Sequence, residues 1–161
     1  MPGFQTVVNV QPAPAVAGQF ASNNPRASVL AGPGGFVAAS PGVTVGLFAW
    51  VDATNLMVSN AGTGAPRGIV SNELQASITT WLASNSSLIP TGQPVTLYDQ
   101  GDFWVVSSTA TTIGQKVFAS NTTGAVQTAA TATVIAGYTE TKWFVDSIQL
   151  AGELVKISSW G

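Results

Sequence analysis

Val43-Thr44-Val45-Gly46-Leu47-Phe48-Ala49-Trp50-Val51 is the stretch that decides the fold. Val43, Val45, Leu47, Ala49 and Val51 fall on one parity, and Thr44, Gly46, Phe48 and Trp50 on the other, which is the two-residue period of a β-strand. Large side chains on both faces predict a central strand covered from both sides. Outward from it, short β-rich runs recur at 56–59, 68–71, 94–99, 102–107, 115–120, 131–136, 142–147 and 154–160. Turn formers at 60–64, 100–101 and 121–124 separate them. Many short strands joined by Gly-rich turns predict an all-β fold, a single β-barrel or jelly-roll-like sandwich. At 161 residues the chain has the size of one domain. The densest apolar runs assign Phe103, Trp104, Trp143, Val145, Val155 and Ile157 to its core.

Two segments are ambiguous. In 71–82, Leu74, Ile78, Trp81 and Leu82 have helical spacing behind a Ser71 cap, yet Leu74, Ala76, Ile78, Thr80 and Leu82 also alternate as in a strand. β-branched Ile78, Thr79 and Thr80 beside Trp81 favour the strand, because their restricted χ1 suits a pleated setting. The Ala/Thr/Ser-rich stretch 122–133 reads as a polar hairpin facing solvent.

Residues 1–39 differ from the rest. A β-like run, Phe4-Gln-Thr-Val-Val-Asn-Val10, is followed by Pro12, Pro14, Gly18, Pro25 and Gly32-Pro-Gly-Gly35, a spacing of breakers that forbids a long helix. Apolar Val16, Phe20, Leu30 and Phe36 are threaded through it. The expected organisation is an extended N-terminal arm, 1–39, and a β domain, 40–161. The arm's apolar residues lie either on their own domain or across a partner. Arg26 is either an anchor, through an ion pair or bidentate hydrogen bond, or a solvated charge in a turn.

Composition narrows the function. Only 7% of residues are charged, five basic against seven acidic, for a net charge of −2. With no His and no Cys, Ser-His-Asp and Cys-His catalysis, thiol redox chemistry and ordinary zinc sites are excluded. The sequence pI of about 4.7 and the lack of a basic cluster argue against nucleic acid. No apolar run reaches the roughly 20 residues of a membrane span. The first residues lack a signal-peptide pattern, so synthesis in a cytoplasm is expected. Asp99 and Asp102 flank Gln100-Gly101, read as a hairpin end, but turn capping explains them better than Ca²⁺, which wants six to eight oxygens. Gly32-Pro-Gly-Gly35 and Gly62-Thr-Gly64 lack the Lys-Ser/Thr of a phosphate loop. No metal or cofactor is expected. Five Trp could form a sugar-stacking platform, though the apolar neighbours of Trp104 and Trp143 favour burial. Few charges among abundant Ser, Thr, Ala and Asn suit a surface that packs against neighbours.

At Ala13-Pro-Ala-Val-Ala-Gly-Gln-Phe-Ala-Ser-Asn-Asn-Pro-Arg26, Val95-Thr-Leu-Tyr-Asp-Gln-Gly-Asp-Phe-Trp104, Gly114-Gln-Lys-Val-Phe-Ala119 and Gly152-Glu-Leu-Val-Lys-Ile-Ser158, the chain resembles the structural cement proteins, the head decoration proteins of tailed bacteriophages. The resemblance runs over nearly the whole chain. It implies a β-barrel or jelly-roll-like domain, attachment outside the major capsid protein, and no enzyme activity. It also implies self-association, with a homotrimer favoured over a homodimer, on the capsid exterior of a virion assembled in a bacterial cytoplasm. Contact with capsid or sister subunits is expected from Phe4, Val7, Val16, Phe20, Arg26, Leu30 and Phe36. The competing reading is a carbohydrate-binding or receptor-binding β-sandwich module of a phage tail fibre.

Overall fold

A computed structural model describes residues 15–73 and 87–160. These residues form thirteen strands and no helix. Numbered along the chain, one sheet runs β1 (Ala27–Ser28), β8 (Leu97–Gln100), β6 (Gly68–Val70), β4 (Phe48–Val51), β5 (Met57–Ser59), β2 (Val37–Ala38). A second runs β11 (Val126–Ala129), β10 (Lys116–Ser120), β12 (Tyr138–Val145), β13 (Leu154–Ser158), β9 (Asp102–Val106). A ribbon of β3 (Val43–Thr44) and β7 (Leu88–Ile89) completes the set. Every pairing between these strands is antiparallel except β2 with β5.

The central strand is β4. Phe48 and Trp50 point into a core shared with the five-stranded sheet, where they meet Phe103, Val117, Trp143, Val155 and Ile157. Ala49 points the other way, into a second core with Val43, Val58, Val70, Ile89 and Leu97. The six-stranded sheet is thus the middle layer, between the five-stranded sheet and the ribbon. The expected single strand over 43–51 is corrected, because Gly46 at φ +77° takes a left-handed turn that few other residues adopt. Val43 and Val45 leave with β3 and cover the second core instead of extending β4.

Four further expectations are corrected. Trp104 is not in the core: β9 alternates, Phe103 and Val105 turn inward, and Trp104 faces outward and is half-buried. The run 131–136 is a turn and loop, with Val134 96% exposed and Ala132 at φ +62°. The strand there is β11, inside the stretch expected to be a solvent-facing hairpin. Val126 and Thr128 alternate inward, and Thr128 is bonded to Thr109 on both its amide and its hydroxyl. Gln100-Gly101 is not a hairpin end either. Gly101, at φ +134°, is a corner where the chain leaves the six-stranded sheet for the five-stranded one. Of 71–82, only 71–73 lie within the described residues, and Ser71 is buried.

Neither sheet closes into a barrel, yet most of their edges are occupied by the chain itself, which blunts the hazard of open edges. Ser107, leaving β9, bridges Val126 on the opposite edge, and the Ser108 amide donates to the Val126 carbonyl at 2.9 Å. On the six-stranded sheet, Val37 bridges Pro94, and the Val95 amide donates to the Phe36 carbonyl at 3.0 Å. The architecture is an all-β sandwich. A register shift in β12 opposite Val117 is filled by Thr141, whose hydroxyl donates to the Val117 carbonyl at 2.8 Å and accepts from the Trp143 amide at 3.2 Å.

Candidate functional site

Residues 15–39, the described part of the N-terminal segment, run along the β domain. The Gly18 amide donates to the Trp104 carbonyl at 2.7 Å, the Trp104 amide to the Gln19 carbonyl at 2.9 Å, and the Ala21 amide to the Asp102 carbonyl at 2.9 Å. This segment therefore extends the free edge of β9. The Gly18 carbonyl accepts from the Asn72 amide at 2.9 Å, so the strap also touches the turn after β6. A side chain at Gly18 would collide with Val45 and the Gly46 backbone, and its φ is +83°. Only glycine fits this crossing.

Further along, Phe20 wedges between Tyr98, edge-on at 5.2 Å between ring centroids, and Phe103 at 5.0 Å. Arg26 caps it, with the guanidinium carbon 3.8 Å from the ring centroid. Asp102 clasps the strap from the other side: Ser22 Oγ donates to Oδ2 at 2.5 Å and Asn24 Nδ2 at 2.6 Å. Burial pushes the Asp102 pKa up, but the Ser22, Ser158 and Asn24 side chains outweigh it, and the carboxyl lies below its ordinary value. Its Oδ1 has no hydrogen-bond partner among the described residues. Trp160 Nε1 closes the strap by donating to the Pro25 carbonyl at 3.2 Å.

The expected contact residues therefore divide. Phe36 is inside the second core and Phe20 lies against the first. Arg26 stacks on Phe20. Val16 and Leu30 are exposed, Leu30 at 85%. Phe4 and Val7 lie outside the described residues. Asp99 and Asp102 do not share a ligand position, because Asp99 turns to Lys142 Nζ at 2.8 Å and Asp102 to the strap. No group of three or more metal-ligating side chains occurs among the described residues.

Three exposed aliphatic residues on two tied loops were missed by sequence reasoning. Ile113 lies on the loop after β9, and Ile148 (69% exposed) and Leu150 (70%) on the loop between β12 and β13. Buried Thr111 ties these loops: its amide donates to the Gln149 carbonyl at 2.9 Å, its hydroxyl to the Ser147 carbonyl at 2.9 Å, and it accepts from the Gln149 amide at 2.9 Å. The exposed side chains thus stand on a fixed frame. The signal was present in Ser147-Ile148-Gln149-Leu150-Ala151-Gly152, where isolated aliphatics alternate with polar residues but no strand follows.

The outer face of the five-stranded sheet carries aromatics under basic side chains. Lys116 Nζ sits 3.6 Å from the centroid of Phe144, and Lys156 Nζ 5.1 Å from that of Trp104. A groove crosses this face, with Asn24, Asp102 and Trp160 at one side, Ile113, Gly114 and Asp146 at the other, and Phe144, Val145 and Ser158 between.

Comparison with known proteins agrees with this architecture. Curated proteins give no match. One solved structure, from the capsid of Myoviridae phage XM1, superposes with a TM-score of 0.65 at 19% identity, over 97% of this chain and 96% of that chain. At that identity the likeness shows the fold. A family model for the XM1 gp53 minor capsid protein matches residues 4–159. The chain belongs to this minor capsid protein family, which gives it a structural role in a phage capsid and places it in the virion.

Proposed function

We propose that this protein is a head decoration, or cement, protein that binds the outside of the major capsid protein shell and holds neighbouring capsomers together. The match to a minor capsid protein family over 4–159 carries the reading. The surface supports it: a chain with 7% charged residues presents Leu30, Ile113, Ile148 and Leu150 to solvent on loops, where a freely diffusing protein keeps such patches small. Contact with the capsid or with sister subunits uses these loops together with Val16 and the N-terminal residues Phe4 and Val7, and Arg26 assists by holding Phe20 and the strap in place. The protein self-associates, as a homotrimer in preference to a homodimer. It has no catalytic role. Each capsid contact can be weak, because contacts made together raise the effective concentration of the rest.

The test is to add the purified protein to emptied or expanded capsids and to measure copies bound and thermal protection. Saturable binding that raises the capsid's disruption temperature supports the reading, and no binding to any capsid form overturns it. One observation favours the carbohydrate-binding alternative: Trp104 and Trp160 both stand outside the core. Tryptophan fluorescence that shifts with added glycans, in a protein that ignores capsids, would establish that alternative instead.

A further inference from the structure

We propose that the groove on the outer face of the five-stranded sheet is the docking site for the Phe4–Val10 run of a second copy of this chain. The groove joins the ring of Phe144 to exposed walls at Ile113 and Trp160, with the Val145 side chain in the core beneath. Its lining includes two carboxylates, Asp102 and Asp146, and no basic side chain. These carboxylates disfavour an acidic occupant, and Ile113, Phe144 and Trp160 suit an apolar one. The first 25 residues of the chain contain no Asp, Glu, Lys or Arg, and Phe4, Val7, Val8 and Val10 are their densest apolar run.

The path of the chain favours a second copy over the same one. Described structure begins at Ala15, and three residues later Gly18 is bonded to the edge of β9. The strap then follows that edge to Asn24, which with Trp160 forms the near wall of the groove, and to Pro25, whose carbonyl Trp160 bonds. To reach the groove in its own subunit, Phe4–Val10 would have to double back across this strap. Pro12 and Pro14 stiffen the connection against such a reversal. Five residues, 11–15, span at most about 17 Å when extended, which bounds how far from Ala15 the run can dock. Segments exchanged in this way can close a ring of two or three copies. The inference concerns self-association in free solution and stands apart from capsid binding.

The chain has no native cysteine, so an engineered thiol pair reports contact without background. Val7→Cys and Val8→Cys, which take opposite parity, would each be placed in a short-tagged chain and mixed with a long-tagged Ile113→Cys chain, then treated with a short bifunctional thiol reagent. Val134→Cys, on the remote loop after β11, is the collision control. A cross-linked species of mixed tag size, several-fold above the control for at least one of the pair, is the expected result. Mixed species no more abundant than the control overturn the inference. In parallel, deletion of residues 1–10 should reduce the mass in light scattering to that of the monomer, and an unchanged oligomer mass would also overturn it. Loss of the cross-link in a protein that still decorates capsids sinks this inference alone, whereas a cross-linked protein that ignores capsids sinks only the decoration reading.

Discussion

Thr141 shows how one hydroxyl preserves a sheet whose register slips. Opposite Val117 the β12 strand carries extra residues, and without the hydroxyl the Val117 carbonyl and the Trp143 amide would lose the bonds it makes to them, in a region that is almost dry. Thr141→Val keeps the shape and removes the bonds, so denaturant unfolding should show a loss of about 1–3 kcal/mol. The two neighbouring tryptophans make a sharper comparison. Trp143 is 2% exposed and meets Phe48 and Phe103 edge-on, so Trp143→Ala should destabilise by about 3–5 kcal/mol. Trp104 lies outside the core under Lys156, and the same measurement on Trp104→Ala should give less than half that loss. Equal losses would mean that Trp104 is buried in solution by a contact absent from the single chain.

At the scale of elements, the strap from Gly18 to Pro25 depends on a charge. Because the Asp102 pKa is lowered in the folded protein, its stabilising contribution is complete above the ordinary carboxylate value near 3.9 and is lost as pH falls through the lowered value. The wild type should therefore melt above Asp102→Asn at neutral pH, and the gap should narrow as the pH falls below about 4. A gap independent of pH would show that shape and hydrogen bonding, not charge, hold the strap. The elements also differ in how readily sequence reveals them. β9 and β13 were legible because alternation and burial coincide in them, and β4 and β10 because short apolar runs mark strands covered on both faces. β11 was not, since Val126 and Thr128 alternate inward within an Ala/Thr background whose hydropathy is nearly flat. The break between β3 and β4 was hidden because Gly46 continues the alternation numerically while its backbone turns away. Of the contact residues, Phe20 and Phe36 were recognised as anchored, but whether an anchor is a chain's own core or a partner depends on pairings 80 or more residues apart, such as Phe20 with Phe103 and Ser22 with Asp102, which local pattern does not encode.

For the whole molecule, the cores are covered by three layers and the exposed aliphatics are concentrated on loops, so folding and attachment should separate cleanly. Ile148→Ser combined with Leu150→Ser should leave the unfolding midpoint nearly unchanged, because exposed substitutions usually shift stability by less than about 0.5 kcal/mol. The same pair should lower copies bound per capsid several-fold, counted on purified particles, and unchanged occupancy would move the attachment surface elsewhere. The strap's geometry also has a mechanical meaning. Its backbone bonds to β9, at Gly18, Gln19 and Ala21, are aligned with the edge of a sheet. Tension applied through the N-terminal residues along that edge would load them in shear, all at once, whereas tension across it would peel them one at a time. A strap anchored this way resists lengthwise stretching far better than lifting, and it would make the direction in which a neighbour pulls, as much as the strength of the pull, the quantity that decides when the joint fails.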